Sequence, residues 1–103
     1  MSLSVDAAIA WIPAEFGGLH RLPWIDLRST IRFQRDYEVV QSVMWDVQLV
    51  ALDVDPVTWR GTAKLAFSTG ATPNMENVKK GEGIELLNAY HVIAVGVILA
   101  VEQ

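Results

Sequence analysis

Cysteine is absent from this sequence, and its absence excludes several kinds of chemistry at once. Without a thiol the chain forms no disulfide, has no thiolate nucleophile and offers no cysteine ligand for zinc. Proteins that lack disulfides are typical of reducing compartments, so we expect a cytoplasmic location.

Long apolar runs are also missing. The longest, Val92–Val101, has ten residues and contains Gly96, whereas a membrane-spanning helix needs about 20. The N-terminus lacks the basic start and apolar centre of a secretory signal. We therefore expect no membrane partner, and we interpret Met1, Ser2 and Leu3 as a cloning remnant without a structural role.

Catalytic signatures are scarce. No glycine-rich phosphate loop with Lys-Ser/Thr occurs, which excludes GTP hydrolysis by this chain, and no Gly-x-Ser-x-Gly elbow occurs. His20 and His91, the two histidines, lack helical i, i+4 spacing and are interpreted as loop and hairpin residues. Asp53 and Asp55 share a strand face and could hold a cation, but their place before Pro56 favours turn capping. We predict neither an enzyme nor a bound cofactor or metal.

Apolar residues are plentiful, at 51% of 103 residues, and many of them alternate with polar ones. The length predicts one domain over residues 1–103. Strand-like segments occur at residues 4–12, 27–35, 37–54, 62–68, 84–87 and 92–101. The third exceeds the usual strand length of about 5–6 residues. It predicts either two strands with a break near Gln41 or Ser42, or one bent strand with a bulge.

Six or seven strands with almost no helix predict a β-sandwich or a small barrel. Within them, Ile31 and Phe33 are predicted to face inward on one strand, as are Ala63, Leu65 and Phe67 on another.

Charge is acidic overall and basic locally. The net charge of −4 argues against strong non-specific nucleic-acid binding. Four arginines nevertheless fall within fifteen residues: Arg21, Arg28, Arg32 and Arg35. Arg28 and Arg32 share a strand face, where guanidinium groups suit a carboxylate or a phosphate. Alternatively, the arginines pair across strands with the chain's own acids, such as Asp36, Glu38 or Asp46.

Tryptophan is frequent, with four residues in this short chain. Trp11 and Trp45 fall in strand patterns and are predicted to be core residues, whereas Trp24 and Trp59 fall at loop edges. Exposed tryptophans often anchor partners. Trp24, close in sequence to Arg21 and Arg28, therefore predicts an aromatic and cationic docking point.

Several of these features occur in a shared order: Gly17-Gly18, Pro23, Arg28, Phe33, Gly83 and Gly96. In this order and spacing the chain resembles the C-terminal β-barrel domain of elongation factor Tu. The resemblance extends over nearly the whole chain. It implies a small, closed, antiparallel, Greek-key-like barrel of about six strands.

The sequence differs from that family where the family's barrel meets transfer RNA. Leu19 replaces a basic residue, Thr30 replaces a glutamine, and Ala89-Tyr90 replace glycines of the last hairpin. We therefore expect a non-enzymatic binding module with a protein partner. The alternatives are an RNA-binding module that takes a transfer-RNA-like ligand, and a small-ligand or catalytic barrel that uses Asp53, Asp55 or a histidine.

The partner surface is predicted to include the segment 17–35 and the hairpin 88–91. The side chains assigned to partner binding are Arg21, Trp24, Arg28, Arg32, Tyr90 and His91.

Overall fold

The computed structural model describes residues 3–34, 44–68, 72–73, 78–89 and 91–103. These residues form six strands: β1 Ser4–Trp11, β2 Arg28–Phe33, β3 Trp45–Val54, β4 Arg60–Phe67, β5 Gly83–Asn88 and β6 His91–Glu102. A short 3₁₀ turn, Ala14–Phe16, follows β1. No helix in the described parts of the chain is long and apolar enough to span a membrane.

The six strands close into an antiparallel barrel in the order β1-β4-β3-β2-β5-β6. Strands β2, β3 and β4 are consecutive neighbours, and β1 lies beside β4 although the long connection 12–27 leads from it to β2. This is a Greek-key arrangement. The predicted all-β fold, a small closed antiparallel barrel of six strands, is confirmed.

The core consists of the alternate side chains that point into the barrel. On β1 these are Val5, Ala7, Ile9 and Trp11, each at most 3% exposed. The inward sets predicted for β2 and β4 are also buried. Strand alternation therefore produces one filled interior, as expected for a small barrel.

A bulge in β3 changes the face on which its apolar side chains lie. Leu49 is opposite Leu65 and Ala51 is opposite Lys64, so Val50 is an extra residue without a partner. Leu49 is buried, whereas Ala51, two residues later, is exposed and Leu52 packs on the core instead. The predicted break near residues 41–42 lies outside the described residues.

Leu3 contributes to the barrel. Its side chain is 5% exposed, and its carbonyl accepts a hydrogen bond from the Phe67 N–H at 2.9 Å. The interpretation of residues 1–3 as structurally irrelevant is therefore wrong for Leu3. Met1 and Ser2 lie outside the described residues.

One end of the barrel collects the segment 12–27, the β3–β4 connection and the β5–β6 connection. They meet there because β1, β3 and β5 end, and β2, β4 and β6 begin, at the same end of an antiparallel sheet. We call this the loop end. Of the segment 17–35, which was predicted to form part of the partner surface, it contains the residues before β2, whereas β2 itself leads away from this end.

Candidate binding groove

A groove of about 570 Å³ opens at the loop end. One wall comes from Ala14, Gly17–Arg21 and Trp24, and the other from Asn88, His91 and Ile93. The register explains why these distant segments meet: Trp11 pairs with Ala94, so the end of β1 lies beside the start of β6. Just beyond, the Ile12 N–H donates to the Ile93 carbonyl at 2.9 Å.

Backbone hydrogen bonds fold the first wall back onto the end of β1. The Gly17 N–H donates to the Ala14 carbonyl at 2.9 Å and the Gly18 N–H to the Pro13 carbonyl at 3.0 Å. The Leu19 N–H donates to the Ile12 carbonyl at 2.7 Å. These bonds fix the path of the residues that lead directly to His20 and Arg21.

The glycine pair is required by this path. Gly17 has a φ of 91°, a left-handed conformation that glycine adopts without steric cost. A β-carbon on Gly18 would lie 1.7 Å from the Ile12 carbonyl oxygen. The backbone feature noted in the sequence therefore has a steric cause, since the loop passes too close to β1 for any side chain at residue 18.

Arg21 and Trp24 form the contact that gives the groove its charge and its aromatic surface. The guanidinium carbon of Arg21 lies 4.1 Å from the centroid of the Trp24 ring, a cation–π geometry. Trp24 remains 39% exposed. Within the described ranges, Arg21 forms no salt bridge with a carboxylate. Arg21 and Trp24 are therefore in contact, and the docking of a partner on them stays a prediction.

Among the residues that the structure describes, no carboxylate lines the groove, although Glu15 directly follows Ala14 in the sequence. Both histidines line it, His20 from the loop and His91 from the start of β6. The sequence placed each in a separate connection, and nothing local indicated that they share one groove.

Arg28 lies outside the groove. It is exposed at the start of β2 and lines a neighbouring polar depression of about 450 Å³, together with Thr30 and Gln48. Asn88 lines both recesses, so the β5–β6 hairpin separates them. Tyr90 and Arg35 lie outside the described residues.

Arg32 is held within the fold. Its Nε and Nη2 atoms donate to Oε1 of Glu85 at 3.0 and 2.6 Å, and the side chains are 18% and 11% exposed. Pairing with the chain's own acid across strands is what the alternative interpretation expected, but the acid is Glu85. Asp46 lies opposite Thr30 instead, and residues 36 and 38 are outside the described ranges.

Asp55 caps the β3–β4 turn. Its Oδ1 accepts hydrogen bonds from the Val57 N–H at 2.7 Å and the Thr58 N–H at 3.2 Å. Asp53 is exposed on β3. The described part of the chain contains no group of three or more metal-ligating side chains. The turn-capping interpretation therefore accounts for the contacts of Asp55.

The sequence matches no protein-family model and no curated protein. The residues that line the groove indicate which kind of ligand it suits. Its floor includes Leu19 and Ile93, which are 8% and 2% exposed, and its rim offers N–H donors from Arg21, Asn88 and the histidines. An apolar floor with a few convergent polar groups is typical of binding sites.

Proposed function

We propose that this barrel is a non-enzymatic protein-binding module and that its partner docks at the groove of the loop end. One observation carries the proposal: Trp24 is exposed and lies against Arg21, which forms no ion pair with a described carboxylate, where the loop segment and the β5–β6 hairpin meet. Tryptophan and arginine are the side chains most enriched at interaction hot spots.

The scaffold suits a binding role, because each of its six strands is paired on both sides and holds the loops in fixed positions. The proposal includes a relationship in fold to the C-terminal barrel of elongation factor Tu, supported by the glycine pair and the strand order. It also includes a cytoplasmic location, supported by the absence of cysteine.

The test compares proteins captured from a cell lysate by the wild-type chain and by three variants. Trp24→Ala combined with Arg21→Gln should abolish capture of any specific partner, because it removes the groove's anchor. Arg60→Gln, at an exposed arginine that does not line the groove, should leave capture intact. Trp24→Ala combined with Arg28→Gln tests whether the surface extends past the hairpin. Partners retained by both double variants would contradict this siting.

RNA binding is the second candidate, because exposed Arg21 and Arg28 both lie at the loop end. Titration of labelled transfer RNA at low and moderate salt distinguishes the two. An RNA module requires affinity that falls steeply with salt and that weakens in an Arg21→Gln, Arg28→Gln variant. The net charge of −4 leads us to expect no such binding.

A further inference from the structure

We propose that the groove recognises a peptide segment in which a carboxylate side chain directly neighbours a large apolar side chain. This inference rests on the proposed protein-binding function and specifies the chemistry of the partner. It follows from two features of the groove: the sign of its charge and the apolar character of its floor.

The charge of the groove is opposite in sign to the net charge of the chain. The protein has 12 acidic and 8 basic residues, yet the described residues that line the groove include Arg21 and two histidines and no acid. A guanidinium that lies over an aromatic ring still has N–H groups with which to bind a carboxylate. Because no salt bridge to a described carboxylate occupies Arg21, an incoming acid meets a cation that is already positioned by Trp24.

The floor supplies the apolar half of the recognition. Leu19, Ile93 and the exposed face of Trp24 line the same recess as Arg21. Its volume, about 570 Å³, is within the range of ~300–1,000 Å³ that is typical of ligand sites. An apolar side chain placed there would remove water from around the neighbouring ion pair and strengthen it. The two side chains of the ligand therefore need to be adjacent.

The closed barrel favours a peptide that binds through its side chains over one that pairs with a strand. The six strands in the described ranges are each paired on both sides, so they offer a peptide no open sheet edge to which it could add as a further strand. Asn88, on the wall opposite Arg21, offers an amide that can both donate to and accept from a peptide backbone. Arg21 is the arginine that lines the groove, and one such cation on an acidic protein favours an isolated carboxylate over the repeated charges of a nucleic acid.

Three pools of capped, fluorescein-labelled hexapeptides test the inference, each with a fixed central pair and random flanking residues. The pairs are Glu-Phe, Gln-Phe and Glu-Ser, and binding is measured by fluorescence anisotropy up to millimolar protein. The Glu-Phe pool should bind about tenfold more tightly than either other pool, since each loses one of the two interactions. Arg21→Gln should remove the difference between Glu-Phe and Gln-Phe, whereas Arg60→Gln should preserve it.

The outcomes separate this inference from the proposed function. Equal binding of Glu-Phe and Gln-Phe, or no binding of Glu-Phe, overturns the inference. Partner capture that depends on Trp24 would still support the protein-binding module in that case. Displacement of Glu-Phe by transfer RNA at equal or lower concentration would overturn both. Thermal unfolding of each variant verifies that the barrel is intact, and Arg21→Met provides a second variant without the charge if Arg21→Gln fails to fold.

Discussion

Arg32 lies directly opposite Glu85 across β2 and β5, and two of its nitrogen atoms donate to the same carboxylate oxygen. The two residues are 53 positions apart in the sequence. Their strands form the seam between the β4-β3-β2 part of the barrel and the β5–β6 hairpin. The ion pair therefore joins two parts of the fold that the chain itself connects only through a long segment.

Removal of one member of this pair should destabilise the barrel. Arg32→Leu leaves the Glu85 side chain, 11% exposed, without this guanidinium, and we expect a loss of about 2–3 kcal/mol in the free energy of unfolding. The Arg32→Leu, Glu85→Leu double variant should recover much of that loss, since it buries no unmatched charge. Urea unfolding of the four proteins gives the coupling energy directly. Additive effects of the two single variants would contradict the coupling.

The same pair illustrates what the sequence can predict. Alternation along β2 and β4 is a local pattern, and it predicted the buried faces of both strands. The identity of Arg32's partner depends on which strand lies beside β2, which is a non-local property of a closed sheet. The three acids considered from the sequence were near Arg32 along the chain or on β3, whereas the partner lies on β5.

The groove shows the same division between local and non-local information. Arg21 and Trp24 are three residues apart, and their proximity was predictable from the sequence. The approach of His91 and Ile93 to His20 follows from the pairing of β1 with β6, over a separation that no short motif reports. A bulge was one of the two alternatives for residues 37–54, but its position at Val50 was not predicted, because both faces of β3 carry apolar residues and alternation does not fix the register.

Asp55 should contribute to stability through its turn. Asp55→Ala removes the acceptor for the Val57 and Thr58 N–H groups, and we expect a loss of about 1–2 kcal/mol in the free energy of unfolding. Asp53→Ala, an exposed substitution on the adjacent strand, should change stability by less than about 0.5 kcal/mol. Thermal unfolding of both variants in the presence and absence of Mg²⁺ measures the difference. Protection by Mg²⁺ that both substitutions abolish would instead support a cation site.

Lys64 should make stability depend on alkaline pH. Its Nζ atom donates to Oε2 of Glu102 at 3.0 Å, and this hydrogen bond raises the pKa of Lys64 above its ordinary value of 10.5. Because the pKa of Lys64 is higher in the folded than in the unfolded protein, protonated Lys64 stabilises the fold at pH values below 10.5. This stabilisation is lost as the pH rises through the folded-state pKa. Lys64→Met should therefore be less stable than wild type at neutral pH, with the gap closing at strongly alkaline pH. Added salt should also reduce the difference in stability between the two proteins. A difference that is the same at all pH values would exclude a contribution from the Lys64–Glu102 ion pair.

Gly18 should be the residue on which both the loop and the groove depend most directly. An alanine there would bring its β-carbon to 1.7 Å from the Ile12 carbonyl oxygen, so the loop must move and the Leu19–Ile12 hydrogen bond must lengthen or break. We expect a loss of at least ~2 kcal/mol in the free energy of unfolding. Gly17→Ala is the matched control: its β-carbon meets nothing within 4 Å, and its cost is the backbone strain of a left-handed alanine, about 1–2 kcal/mol. Urea unfolding ranks the stabilities of the two variants.

Gly18→Ala should also weaken Glu-Phe peptide binding more than Gly17→Ala does, because only the substitution at Gly18 displaces the wall that carries Arg21. If both variants bound peptide as wild type does, the loop path would not determine the groove.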